Sequence, residues 1–156
     1  MLRIGICDDQ AQARLLLRAA LERILDEQNV QAQCFEFSSG ETLLQWYDRH
    51  AGELDLLFLD MELHALDGME AARRLRAADQ ALQLVFVTGY ADHVFDGYTV
   101  GALGYLMKPP TREQLESVLA RAQAALVRQL DQAFVCRNGE TYYRIPVGKI
   151  LYFASD

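Results

Sequence analysis

Short, unbroken apolar runs alternate along this chain with stretches in which apolar residues recur at every third or fourth position. Residues 2–7, LRIGIC, are the first run and give way at once to Asp8 and Asp9. From Ala11 to about Asp26, Leu15, Leu16, Ala19, Ala20 and Ile24 fall at helical spacing. Residues 30–37 read as a strand. The turn Ser38-Ser39-Gly40, with Glu41 directly after it, signals the start of a helix carrying Leu43, Leu44, Trp46 and Tyr47. Residues 54–59 are a third strand, running straight into Asp60. A loop closes at Asp67-Gly68, and MEAARRLRAAD is a good helix. Residues 82–87 are a fourth strand, ending at Thr88-Gly89. A poorer helix covers roughly 90–99, residues 102–106 form a short strand, and Lys108-Pro109-Pro110 come next. Thr111, with Glu113 and Gln114 in the first turn, caps a long helix running to about Leu130.

This pattern is strand then helix, five times over. Continuous apolar strands alternating with amphipathic helices imply a parallel sheet covered on both faces. Right-handed crossovers make it a doubly wound (βα)5 fold of the α/β class. In such sheets functional groups collect at the carboxyl ends of the strands, near the point where the strand order reverses.

The last stretch departs from the pattern. AFVCRNGETYYRIPVGKILYFASD has an Asn138-Gly139 turn between two β-rich runs, a hairpin signal, and Ile150–Ala154 is a further strand-like run beyond Pro146. Charge divides the chain at the same place: the net of −7 resolves into −8 over residues 1–132 and +1 over residues 133–156. We therefore expect a main domain over residues 1–130 and a short β-rich tail over residues 131–156.

At 156 residues and 51% hydrophobic, the chain can bury a real core. No apolar run approaches the roughly 18 residues of a membrane span, and MLRIGICDD turns acidic too soon for a secretory signal. A cytoplasmic protein is expected, with no membrane partner. The acidic balance argues against nonspecific nucleic-acid binding by the whole chain. Cys7, Cys34 and Cys136 have no CxxC spacing and read as buried hydrophobes, not as disulfides or a zinc site; His50, His64 and His93 add no ligand pattern.

The strand ends carry the chemistry. Asp8 and Asp9 follow the first strand, Asp60 the third, Thr88 the fourth and Lys108 the fifth. Each has a bland reading: loop acid, helix cap or solvated charge. Together, on one edge of a parallel sheet, they would crowd three carboxylates that repel one another unless a cation neutralises them. Mg²⁺ suits such a site, because it takes one or two carboxylates and keeps oxygens for water or phosphate. Lys108 adds a point charge for a phosphate oxygen and Thr88 a hydroxyl. The set looks built to put a phosphoryl group on Asp60.

In ICDDQ, LLFLDMELHALDGMEAARRLR, VFVTGY and GYLMKPP, residues 1–130 resemble the receiver domain of two-component response regulators, with its flavodoxin-like fold. The resemblance implies that Asp60 is the phosphoacceptor, served by a sensor histidine kinase. It implies that Asp8, Asp9, Asp60 and the backbone carbonyl of Glu62 hold Mg²⁺. Thr88 becomes the switch hydroxyl, Lys108 the phosphate-contacting lysine and Tyr105 the aromatic switch, with Lys108-Pro109 where the family has a cis peptide. A homodimer through the face of the fourth helix, fifth strand and fifth helix is implied as an option, as is one through the tail; the fourth-helix region is rich in Val94, Phe95, Tyr98 and Val100, of which some must be core. His64 stands where the loop commonly has proline, from which altered loop stiffness is expected. Glu62 puts an acid two residues after the phosphoacceptor, where it would repel phosphate or steer water.

The tail, RNGETYYRIPVGKILYFAS, resembles the first strands of a LytTR DNA-binding domain. It implies a transcription regulator of that type whose DNA contacts lie in a C-terminal domain mostly absent from this chain. The tail is expected to be disordered, packed on its own receiver, or paired with a second copy through its unpaired edges. Three other readings compete: a stand-alone or phosphorelay receiver acting by protein contact, a binding-only pseudo-receiver, and a haloacid-dehalogenase-type phosphatase. The last wants its nucleophile after the first strand with a second Asp two residues on, whereas the first strand here ends Asp8-Asp9-Gln10. A phosphoacceptor rather than a turnover enzyme is therefore expected.

Overall fold

The structure is a computed structural model and describes residues 1–63, 65–89 and 100–137, with side chains to Gln129. Five strands and four helices are described: β1 (Leu2–Cys7), α1 (Ala11–Glu27), β2 (Ala32–Phe37), α2 (Gly40–Arg49), β3 (Leu56–Asp60), α3 (Gly68–Ala78), β4 (Gln83–Thr88), β5 (Gly104–Met107) and α4 (Arg112–Arg137). The sheet is parallel throughout, in the order β2-β1-β3-β4-β5. The order reverses between β1 and β3, so the crevice of a doubly wound sheet opens above the ends of those two strands.

Two apolar layers account for the unbroken strand sequences. Leu56 and Phe58 of β3 point toward α1 and α4 and pack with Ile4, Ile6, Leu21, Leu25, Val85 and Leu119. Leu57 and Leu59 point the other way, toward α2 and α3, and pack with Leu43, Tyr47, Leu75, Leu84 and Phe86. Successive side chains of a strand face opposite sides, so a central strand with both sides covered must be apolar at every position. All five residues of β3 are buried.

The helix starts match their sequence signals. Ser39 accepts from the Thr42 amide at 3.0 Å and Asp67 from the Glu70 amide at 2.8 Å. Thr111 and Gln114 form a reciprocal capping box, each side chain accepting from the other's amide at 3.1 and 3.0 Å. The Lys108–Pro109 peptide is cis.

One expectation is corrected. The final helix does not stop near Leu130 but continues to Arg137, so Ala133–Cys136 are helical rather than a β-run. The reason is local. No glycine or proline interrupts the chain between Thr111 and Asn138-Gly139, and a helix already nucleated adds residues readily. The main domain's last helix thus crosses the expected boundary at residue 130. The helix expected at about 90–99, His64, and the hairpin and further strand of the tail lie outside the described residues.

Candidate functional site

Asp8, Asp60 and Thr88 are the buried polar side chains among the described residues, at 6%, 3% and 1% exposure. All three stand at the carboxyl edge of adjoining strands. β1 runs beside β3 with Cys7 opposite Leu59, and β3 beside β4 with Asp60 opposite Val87. That register brings residues 28 to 80 positions apart in sequence into one pocket. The buried polar groups of this domain are therefore concentrated where chemistry is expected, and burying them needs partners.

Lys108 supplies one. Its Nζ lies 2.8 Å from Asp8 Oδ2 and 3.0 Å from Asp60 Oδ2. Its own amide bonds the Thr88 carbonyl at 2.9 Å, which fixes the start of the lysine stem beside β4. The backbone supplies the rest. The Glu62 amide donates to Asp60 Oδ1 at 2.9 Å, and the Gln10 amide to Asp8 Oδ1 at 2.9 Å. The cap position of α1 is Gln10 with no side-chain cap bond, so Asp8-Asp9 do not serve as the helix cap.

Burial pushes the Asp60 carboxyl above the usual carboxylate range, although the Glu62 amide and Lys108 pull it down. Burial works against the Lys108 ammonium too, but the bonds to Asp8 and Asp60 outweigh it and hold the lysine above its ordinary range. Carboxylate oxygens of Asp8, Asp9 and Asp60 lie within 4.8 Å of one another. Three carboxylates and one ammonium leave two negative charges, which a divalent cation balances. The donors are all hard oxygens, the set a Mg²⁺-type ion takes.

For Glu62, the expected role is to repel phosphate or steer water, and its contact here is a different one. Its Oε2 accepts from Thr88 Oγ1 at 2.7 Å and its Oε1 from the Gly89 amide at 3.3 Å. Tyr105 lies on β5, half-buried, its ring stacked on Phe86 at 5.4 Å between centroids and outside the acidic cluster.

Two arginines carry no role in the sequence pattern. Arg14 Nη1 bonds the Asp8 carbonyl at 2.7 Å while its Nε bonds Glu36 at 3.2 Å, pinning the acidic loop to β2. Arg76 ties four carbonyls together, those of Val100, Asp79, Gln80 and Leu82, at 2.7 to 3.3 Å. An arginine one turn into the helix after Asp8-Asp9 is the only sequence signal for the first. The second has none, since carbonyl acceptors carry no residue identity.

The model of the response regulator receiver domain matches residues 4–120. The sensory transduction protein LytT of Bacillus subtilis is 33% identical over 122 residues, covering 78% of this chain and 48% of that protein. The alginate biosynthesis transcriptional regulatory protein AlgB of Pseudomonas putida is 32% identical over 140 residues, covering 88% of this chain and 29% of that protein. The chain thus spans about half the length, or less, of these relatives. Among solved structures, the receiver domain of AraT, a response regulator from Geobacillus stearothermophilus, superposes with a TM-score of 0.71 at 25% identity, over 82% of this chain and 97% of that one.

Proposed function

The chain belongs to the response regulator receiver domain family, and on that premise we propose that Asp60 accepts a phosphoryl group from a sensor histidine kinase and thereby switches the domain's conformation. The observation that carries this is the buried Asp60 carboxylate, hydrogen-bonded to Lys108 and clustered with Asp8 and Asp9. In the transfer, an Asp60 oxygen bonds to phosphorus as the donor's phosphorus–nitrogen bond breaks. Lys108 stays beside the new acyl phosphate and offsets its charge, and the Glu62 amide holds the carboxyl in place. Asp8, Asp9, Asp60 and the Glu62 carbonyl would hold Mg²⁺, which supplies the positive charge that lets an anionic donor approach three carboxylates. Thr88 then turns its hydroxyl to a phosphoryl oxygen, and Tyr105, on the neighbouring strand, answers with its ring.

Leu16 is exposed and lines, with Leu17, Asp60, Lys108 and Pro110, an apolar cavity of about 180 Å³ beside the site. That supports kinase docking across α1. No helix among the described residues is long and apolar enough to cross a membrane, and a cytoplasmic setting goes with the proposal. The likeness of the tail to the first strands of a LytTR domain, and the transcriptional regulatory protein among the relatives, support transcription control through DNA binding by a further C-terminal domain as the output. A homodimer through the face of the expected helix at about 90–99 with β5 and α4, or through the tail, is the corresponding assembly.

The test is labelling with radioactive acetyl phosphate and Mg²⁺, with a chelator as control. Label that depends on Mg²⁺ and disappears in Asp60→Asn supports the reading. Steady turnover of p-nitrophenyl phosphate that survives Asp60→Asn sinks it in favour of a phosphatase.

A further inference from the structure

Thr88 ends β4 and Gly89 follows it; each offers one donor, and in this structure one side chain takes both. Glu62 Oε2 accepts the Thr88 hydroxyl at 2.7 Å and Oε1 accepts the Gly89 amide at 3.3 Å. The same residue's backbone amide holds Asp60 Oδ1 at 2.9 Å. Glu62 therefore touches the phosphoacceptor with its main chain and the switch threonine with its side chain.

The chemistry makes these contacts exclusive. A threonine hydroxyl carries one hydrogen, and so does a backbone amide. Neither donates fully to two anions at once. A carboxylate and a phosphoryl group are both oxyanions and compete for the same donors. Thr88 is buried, so no water shell stands ready to replace the bond it would lose.

We propose that the Glu62 carboxylate is an internal stand-in for the phosphoryl group, a latch that holds Thr88 and Gly89 in the unmodified state and leaves them on phosphorylation. This rests on the receiver reading and deepens it. Glu62 is partly exposed, so its carboxylate can turn to water when Thr88 and Gly89 leave it. The latch stabilises the unmodified state relative to the phosphorylated one, because its charge-assisted bond exists only in the former. It also couples the two states: the hydroxyl has an anionic partner in each, so Thr88 moves between two defined positions.

The experiment is calorimetric titration of the full chain with beryllofluoride, a phosphoryl analogue, at saturating Mg²⁺. The proteins are wild type, Glu62→Ala, Thr88→Val and the double variant, with Glu62→Gln as a variant that keeps an acceptor oxygen without the charge. Losing one charge-assisted bond from the unliganded state should make Glu62→Ala bind about tenfold tighter than wild type. Glu62→Gln should fall between them. In the Thr88→Val background, removing Glu62 should give a clearly smaller gain, since only its longer contact with the Gly89 amide is left to lose.

An equal gain in both backgrounds overturns the latch, because the carboxylate would then act through charge alone. Binding by Glu62→Ala no tighter than wild type overturns it as well. If wild type and every variant fail to bind beryllofluoride, the receiver reading fails, and the latch with it. Wild-type binding with either of the first two results leaves the receiver reading standing and removes the latch only.

Discussion

Gly68 is the first residue of α3, and its backbone rests directly on the end of β3. A Cβ built there would lie 2.1 Å from the Asp60 carbonyl oxygen and 2.7 Å from the Met61 Cα. Both are main-chain atoms, so no side chain can rotate out of the way. The amide of Gly68 also bonds the Met61 carbonyl at 3.2 Å, which holds the two segments together. Gly68→Ala must push α3 and the end of β3 apart by about 1 Å in an interior packed to crystal-like density. Overpacking of that kind costs about 1–3 kcal/mol. The better helix propensity of alanine returns up to about 1 kcal/mol. A net loss of about 2 kcal/mol is expected, or a midpoint of thermal unfolding lower by about 4–8 °C for a chain this size. Urea unfolding followed by circular dichroism measures it, with Gly89→Ala as the comparison: its Cβ would meet nothing nearer than Glu62 Oε1 at 4.0 Å. Because the displaced atoms belong to Asp60 and Met61, Gly68→Ala should also slow phosphorylation. A Gly68→Ala protein as stable as Gly89→Ala would refute the claim that backbone contact at Gly68 sets the position of the phosphoacceptor.

Three further outcomes come from the same set of contacts. Asp60 has its carboxyl raised by burial, so ionising it opposes folding, and that stability is lost as pH rises from the ordinary carboxylate range through the raised one. In chelator at neutral pH, Asp60→Asn should therefore melt higher than wild type, with the gap narrowing on acidification; a gap that widens instead contradicts the burial argument. Burial, with Asp8 and Asp60 nearby, pushes the Cys7 thiol up to about 12, and burial pushes Cys34 to about 11. Their thiolates at pH 8 should number about one in ten thousand and one in a thousand, so iodoacetamide should leave both peptides unlabelled until the protein is unfolded, and native labelling at the rate of a free thiol would count against it. Arg76→Ala strips one donor group from four carbonyls and should cost about 2–4 kcal/mol by urea unfolding; a loss under about half a kcal/mol would mean that water replaces the guanidinium without penalty.

Much of this is legible in the residues alone, for definite reasons. A central parallel strand must be apolar on both faces, so LLFLD announces β3, and the abrupt change at Asp60 marks the sheet's carboxyl edge. Ser39, Asp67 and Thr111 announce their helices because a cap is a local bond. The end of the last helix is not legible, because the β-rich composition of Ala133–Cys136 weighs less than an uninterrupted helix running into it. The Glu62–Thr88 contact spans 26 positions and depends on where one flexible side chain settles, which no spacing rule encodes. Arg14 and Arg76 bond carbonyls, groups every residue carries, so their roles emerge only when the chain is folded.

The central claim is that the buried carboxylate of Asp60 takes a phosphoryl group, with Lys108 and the acids of β1 arranged around it. Intact-mass spectrometry of wild type and Asp60→Asn, each incubated with acetyl phosphate and Mg²⁺, tests it most directly. The account predicts the added mass of one phosphoryl group on wild type and none on Asp60→Asn. Wild type that gains no mass, or an Asp60→Asn protein that gains as much, would contradict it.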